Sequence, residues 1–165
     1  MAREASMNIR TENHADAEVV RALLDAAFGG SAEGGLVARL HVSDELVLGL
    51  VAERDGQVTG YVALSALQSP ERTLALAPVA VVPSRQRCGI GSALIEEALR
   101  RARTDGWRMI FVLGEPEYYG RFGFTTEAAA GFDCKYAGPY FQALQLTESP
   151  SAPAPVVYSA AFADL

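Results

Sequence analysis

Two groups of residues in this 165-residue chain have types and spacings that can do chemistry. The first is the run Val79-Ala80-Val81-Val82-Pro83-Ser84-Arg85-Gln86-Arg87-Cys88-Gly89-Ile90-Gly91-Ser92-Ala93-Leu94, an apolar strand that breaks at a proline, crosses a basic turn and enters a helix through two glycines. A helix start leaves backbone N–H groups unpaired with the positive end of the helix dipole behind them, so an anion placed there gains several hydrogen bonds at once. Gly89 and Gly91 remove the Cβ atoms that would hold such an anion off the backbone. Arg85 and Arg87 add positive charge, and Gln86 is able to brace the turn or reach a ligand. The second group is Gly114-Glu115-Pro116-Glu117-Tyr118-Tyr119-Gly120-Arg121-Phe122-Gly123-Phe124, which sets two phenols and two carboxylates on a short aromatic helix.

The glycine turn admits several readings. A Walker-type phosphate loop ends in Gly-Lys-Ser/Thr, whereas Gly91 is followed by Ser92-Ala93 without a lysine. A dinucleotide fingerprint needs a third small residue at Leu94 and a carboxylate closing the next strand, and Met109 to Leu113 has none. A turn that merely joins strand to helix is the plain structural alternative.

The elements that must hold these groups follow from periodicity. Met7 to Arg10 alternates as a strand, and a helix beginning near His14 repeats Val19, Val20, Leu23, Leu24, Ala27 and Phe28 before a Gly29-Gly30 stop. Gly29 to Gly35 carries four glycines and reads as a mobile loop able to close over a substrate, with a second helix from about Glu33 to His41. Leu46–Glu53 and Gln57–Ser65 form a hairpin around Asp55-Gly56. Arg72 to Val82 is a third antiparallel strand that feeds the glycine turn. The helix after the turn is apolar at Ile90, Leu94, Ile95, Ala98, Leu99 and Ala102, and Met109 to Leu113 is a buried parallel strand. The turn therefore lies at the C-terminal end of a strand, where open α/β sheets bind ligands. Phe141 to Leu146 alternates as a strand, Glu148 to Pro155 is a Pro-rich surface linker, and Val156 to Tyr158 is placed to return to the sheet.

Composition bounds the function. The length suits one domain, 1–165, with its core at about 7–147 and a Pro-rich C-terminal tail. A net charge of −6 and a pI near 4.9, with Lys135 the single lysine, argue against nucleic acid as partner. The Arg cluster at the turn instead suits a small anion. Cys88 and Cys134 lack metal-ligand spacing, so no metal is expected, and no window has membrane-spanning length. His14 and His41 read as surface or capping residues. A cytoplasmic location is the expectation.

The order Val-x-Pro-x-x-Gln-x-x-Gly-Ile-Gly-x-x-Leu on a strand–turn–helix, preceded by a hairpin and followed by Tyr-x-x-x-Gly-Phe, resembles the acetyl-CoA-binding core of the GNAT family of N-acetyltransferases. The Pro-x-Tyr-Tyr-x-Arg-Phe-Gly-Phe segment is similar to that of the YhbS-like branch. The resemblance covers about residues 7 to 147. It implies a mixed, mostly antiparallel α/β sheet, flanked by helices and splayed at its one parallel pair of strands.

It also implies roles. Acetyl-CoA is the cosubstrate, its pyrophosphate on Gln86, Arg87, Cys88, Gly89, Ile90, Gly91 and Ser92 and its pantetheine arm along Val79, Val81 and Val82. Tyr119 matches the family's tyrosine and is the candidate acid for the leaving thiolate, with Tyr118 as rival. The strand before the turn lacks the carboxylate that members often carry, which leaves Glu33, Glu115 or Glu117 as candidate bases. The asparagine that many members place before the tyrosine helix is also replaced, by Gly114-Glu115-Pro116. The function implied is direct transfer of acetyl to a primary amine of a small molecule or protein; the alternative is a non-catalytic coenzyme A-binding sensor. Exposed C-terminal strands are compatible with a homodimer.

Overall fold

The computed structural model describes residues 7–149 and 151–163. Six strands lie in one sheet in sequence order: β1 (Asn8–Thr11), β2 (Leu46–Arg54), β3 (Gln57–Ala66), β4 (Thr73–Val81), β5 (Met109–Leu113) and β6 (Phe141–Gln145). Every neighbouring pair is antiparallel except β4–β5. This is the mixed, mostly antiparallel sheet that the resemblance implies. The hairpin turn forms because Asp55 (φ 54°) and Gly56 (φ 75°) both take the left-handed conformation that matches strand twist.

Two helices, α1 (Ala17–Phe28) and α2 (Ala32–Val42), cover one face of the sheet. Helix α1 stops at Gly29, whose φ of 72° suits a residue without a side chain, and its N–H closes the last turn on the Asp25 carbonyl at 2.9 Å. The mobile loop expected over Gly29 to Gly35 is not what forms. Gly34 and Gly35 are inside α2, and Gly34 is buried where the Arg21 chain crosses it closely enough to exclude a Cβ. Helix packing thus overrides the glycine content. Only Gly29 to Ser31 connects the two helices.

Helix α3 (Ile90–Thr104) covers the opposite face. Its stripe of Leu94, Ile95, Ala98 and Leu99 packs on Leu50, Val62, Leu64, Leu74, Ile110 and Val112, all nearly inaccessible. The other face divides into two clusters: α1 over Val51, Tyr61 and Ala63, and α2 with the chain's C-terminal segment over Ala75, Phe111 and Phe141. Residues Val156 and Phe162, past the Pro-rich segment, are buried there. Val157 does not extend the sheet; it makes an isolated bridge to Ser69. Two short helices, α4 (Pro116–Gly120) and α5 (Thr126–Ala129), lie between β5 and β6.

What matters for function is where β4 and β5 part. Their parallel pairing covers only Thr73↔Met109, Leu74↔Ile110 and Ala75↔Phe111. Strand β4 continues beside β3 as far as Val81↔Gly60, across a register shift at Ala77-Pro78. A proline removes a ladder donor and is tolerated inside a sheet at such an irregularity. From Leu76 onward, the β5 side of β4 is an unpaired edge in the middle of the sheet.

The N-terminal corner is held by charge. Arg10 grips Asp16 with two hydrogen bonds of 2.8 Å and Glu53 with bonds of 2.6 and 2.9 Å. Arg10 holds the buried Asp16 carboxyl below the usual carboxylate range, helped by the Asn13 N–H. A depressed native pKa stabilises the fold above the ordinary carboxylate range and loses that contribution as pH falls through the native value. Arg10→Ala is expected to cost about 2–4 kcal/mol in urea unfolding at pH 7, by leaving a buried carboxylate unpaired. The difference from wild type should shrink below about pH 4 as Asp16 protonates.

Candidate functional site

Strand β4 ends at Val81, and a 3-10 turn over Pro83–Arg85 carries the chain to Gly89 and the start of α3. Two left-handed residues make the turn: Arg87 at φ 65° and Gly89 at φ 83°. Among the described residues, the N–H groups of Gly89, Ile90, Gly91 and Ser92 find no acceptor, and the first α-helical bond runs from Ala93 to Gly89 at 3.1 Å. Gln86 braces the turn through Nε2, which donates to the Val81 carbonyl at 3.2 Å.

The turn opens into a cleft of about 590 Å³. Val79, Ala80 and Val81 form its strand wall, and Gln86, Arg87, Gly89, Gly91 and Ser92 form its turn. Tyr118 and Arg121 of the α4 region close one side, and Ala27 and Phe28 at the end of α1 close the other. A Cβ at Gly91 would stand 3.1 Å from the Tyr118 hydroxyl and 3.7 Å from Val81, so glycine keeps this floor open. Arg121 donates to the Ser92 hydroxyl at 3.2 Å while its guanidinium lies 5.4 Å from the Tyr118 ring centre. That places a cation beside the free N–H groups, where an anion is favoured twice.

Not every expected site residue presents a side chain to the cleft. Ile90 is buried beneath the turn, where its side chain closes over Gly60, so only its backbone faces an anion. Val82 and Cys88 flank the cleft without lining it, and the Val82 N–H is bound to the Thr59 carbonyl at 2.9 Å. Glu115 is exposed at the start of α4, and Glu33 sits in the first turn of α2 rather than on a loop; neither lines the cleft. The cleft walls hold no carboxylate and no histidine.

The two tyrosines divide the space. Tyr118 faces the turn. Tyr119 lies against Gly114, the residue that follows β5, with ring carbons 2.5–3.5 Å from where a Cβ on Gly114 would be. Its ring also meets Tyr118 and Phe124 edge-on. Burial, with Tyr118 beside it, pushes the Tyr119 hydroxyl up to about 12, so it stays protonated at neutral pH. Sequence reasoning missed Arg121 and Phe28 as cleft residues. Arg121 follows Tyr118 by three positions, which is one helical face; Phe28 is the last residue of α1 and 45% exposed, a large apolar side chain left outside the core.

Comparison with known proteins fits this geometry. The sequence model of the acetyltransferase (GNAT) family matches residues 17–124. The uncharacterized N-acetyltransferase YhbS of Escherichia coli K12 is 38% identical over 136 residues, 80% of this chain and 81% of its own. The crystal structure of E. coli YhbS in complex with CoA superposes with a TM-score of 0.91 at 32% identity, covering 99% of this chain and 95% of that one. A Brucella melitensis GNAT acetyltransferase in complex with acetyl-CoA gives 0.82 at 38%, covering 96% and 99%. The glycine turn with its free N–H groups, the strand edge released beside it and these likenesses along most of the chain lead to one assignment: the chain belongs to the acetyltransferase (GNAT) family.

Proposed function

We propose that the protein transfers an acetyl group directly from acetyl-CoA to a primary amine, on the residues named above. The observation that carries this reading is the continuity of two features in one cleft: a helix start rich in free N–H groups and a strand edge with no partner beyond Ala75. The first suits a pyrophosphate, held by the amides of Gly89 to Ser92 with Arg87 and Arg121 beside them. The second suits an extended amide-bearing arm that hydrogen-bonds like a strand along Val79 to Val81.

The amine nitrogen attacks the thioester carbonyl carbon, the C–N bond forms and the C–S bond breaks. One amine proton leaves to water, and the products are an amide and a free thiol. Tyr119 serves the departing sulfur. A thiol of ordinary pKa, roughly 8.5, is a far stronger acid than a phenol near 12, so the thiolate does not strip Tyr119 of its proton. Tyr119 acts as a hydrogen-bond donor that stabilises developing negative charge, and solvent completes the protonation.

The absence of carboxylate and histidine from the cleft walls favours a second reading, a coenzyme A-binding sensor without catalysis. Purified protein with acetyl-CoA and a panel of amines separates the two. Amine-dependent release of free thiol above the buffer rate is expected. Thermal stabilisation by acetyl-CoA with no thiol release by any amine would leave the sensor.

A further inference from the structure

Beyond the split, on the face opposite α3, lies a second cavity of about 260 Å³. Leu76 and Ala77 of β4 form its floor, and the half-exposed Leu113 of β5 stands at its mouth. Leu76 directly follows the last β4 residue paired with β5, Ala75, and Leu113 stands two residues past Phe111, the partner of Ala75, so the cavity begins where the unpaired edge of β4 begins. Its walls are Tyr136, Tyr158 and Phe162. The three rings form an edge-on chain, with Tyr136–Tyr158 and Tyr158–Phe162 centroids each 5.0 Å apart.

The lining is unusual for a site meant to hold a charged metabolite. It contains no Asp, Glu, Arg, Lys or His. A carboxylate or second ammonium on the bound molecule would lose its hydration there without a counter-charge. Two polar handles are present nonetheless. They are the hydroxyls of the lining residues Tyr136 and Tyr158. Burial, with Cys134 and Tyr136 nearby, pushes the Tyr158 hydroxyl up, so it is available as a protonated donor. The volume is below the roughly 300–1,000 Å³ typical of drug-sized sites, which restricts the occupant to a compact group.

We infer that this cavity is the acceptor pocket, and that the acceptor is a small primary monoamine on an apolar body, aliphatic or aromatic, carrying no second charge. The inference rests on the acetyltransferase reading for the identity of the reacting group. The apolar body fills the space between Leu113, Tyr158 and Phe162, while the amino group points to the split between β4 and β5. An apolar wall also disfavours the ammonium form of the incoming amine by desolvation, which assists loss of its proton where no carboxylate lines either cavity. Attack then proceeds as written above, with the amine proton passing to water.

The test compares amines that differ only in charge: isopentylamine with leucine, 2-phenylethylamine with phenylalanine, and both with putrescine and a Leu-Gly-Gly tripeptide. Thiol release from acetyl-CoA should give kcat/KM at least about 100-fold higher for the two monoamines than for the charged counterparts, because a buried unpaired charge is rejected strongly. Leu113→Asp adds a carboxylate at the half-exposed mouth, a position that tolerates it in folding. It should lower monoamine kcat/KM about tenfold or more and raise that of putrescine. Ligand-observed NMR with coenzyme A-loaded protein reads the pocket without chemistry. Monoamine binding that is lost in Leu113→Asp, but without thiol release, would sustain the pocket and sink the transferase reading. Thiol release with leucine, putrescine or the tripeptide as efficient as with the monoamines would overturn the pocket while leaving the transferase. So would the absence of both binding and turnover with the monoamines.

Discussion

Gly91→Glu is expected to lower affinity for coenzyme A by more than about 100-fold while leaving the protein folded and at least as stable as wild type. The loss has three parts. A Cβ at this position meets the Tyr118 hydroxyl at 3.1 Å, the carboxylate fills the space before the free N–H groups, and its charge repels phosphate. Each charge-assisted hydrogen bond displaced is worth roughly 1.5–3 kcal/mol, so losing two already exceeds a hundredfold. The stability has the opposite sign, since glycine is among the weakest helix formers and a carboxylate is favoured in a first helical turn. Isothermal titration and a thermal melt on the same sample give both readings. Affinity within tenfold of wild type would move the pyrophosphate away from this turn.

Tyr119→Phe is expected to reduce kcat about 100-fold with coenzyme A affinity unchanged, the size associated with losing one positioned group in the transition state. The hydroxyl makes no hydrogen bond to a described residue, and the ring's contacts with Gly114 and Phe124 survive in phenylalanine. Folding should therefore be unaffected. Retained turnover would exclude Tyr119, and Tyr118→Phe then becomes the decisive variant. Tyr118 stands next to Gly91, so its loss should appear in cofactor affinity as well as in rate.

Much of the framework could be read from residue patterns, for reasons that differ element by element. The stripe on α3 is legible because every one of Ile90, Leu94, Ile95, Ala98, Leu99 and Ala102 faces the sheet. The hairpin is legible because Asp-Gly is a local turn signal, independent of anything far away. The Gly29 to Gly35 segment misleads because helix formation at Gly34 and Gly35 is imposed by packing on α1, which no local window records. Glu33 as a loop residue fails with it. The C-terminal segment is illegible for a related reason. Val156, Tyr158 and Phe162 are ordered by contacts with residues far back in the chain, and they show no period. The chemistry divides the same way. The glycine turn is a contiguous motif, whereas Arg121 reaches Ser92 across 29 residues and the aromatic cavity joins four separate parts of the chain.

The three-residue pairing of β4 with β5 also selects for the shape of a ligand. A chain that pairs with the free β4 edge must lie along it as an extended strand does, ~4.8 Å away. An arm with amides at intervals can do so and satisfy the exposed β4 backbone. A molecule of equal size without amides cannot. Backbone pairing thus screens ligands before any side chain is read, and a thioester at the end of such an arm is carried along β4 toward the split. A free thioester without such a tether gains none of this alignment, and the protein should discriminate against it even when the reacting atoms are identical.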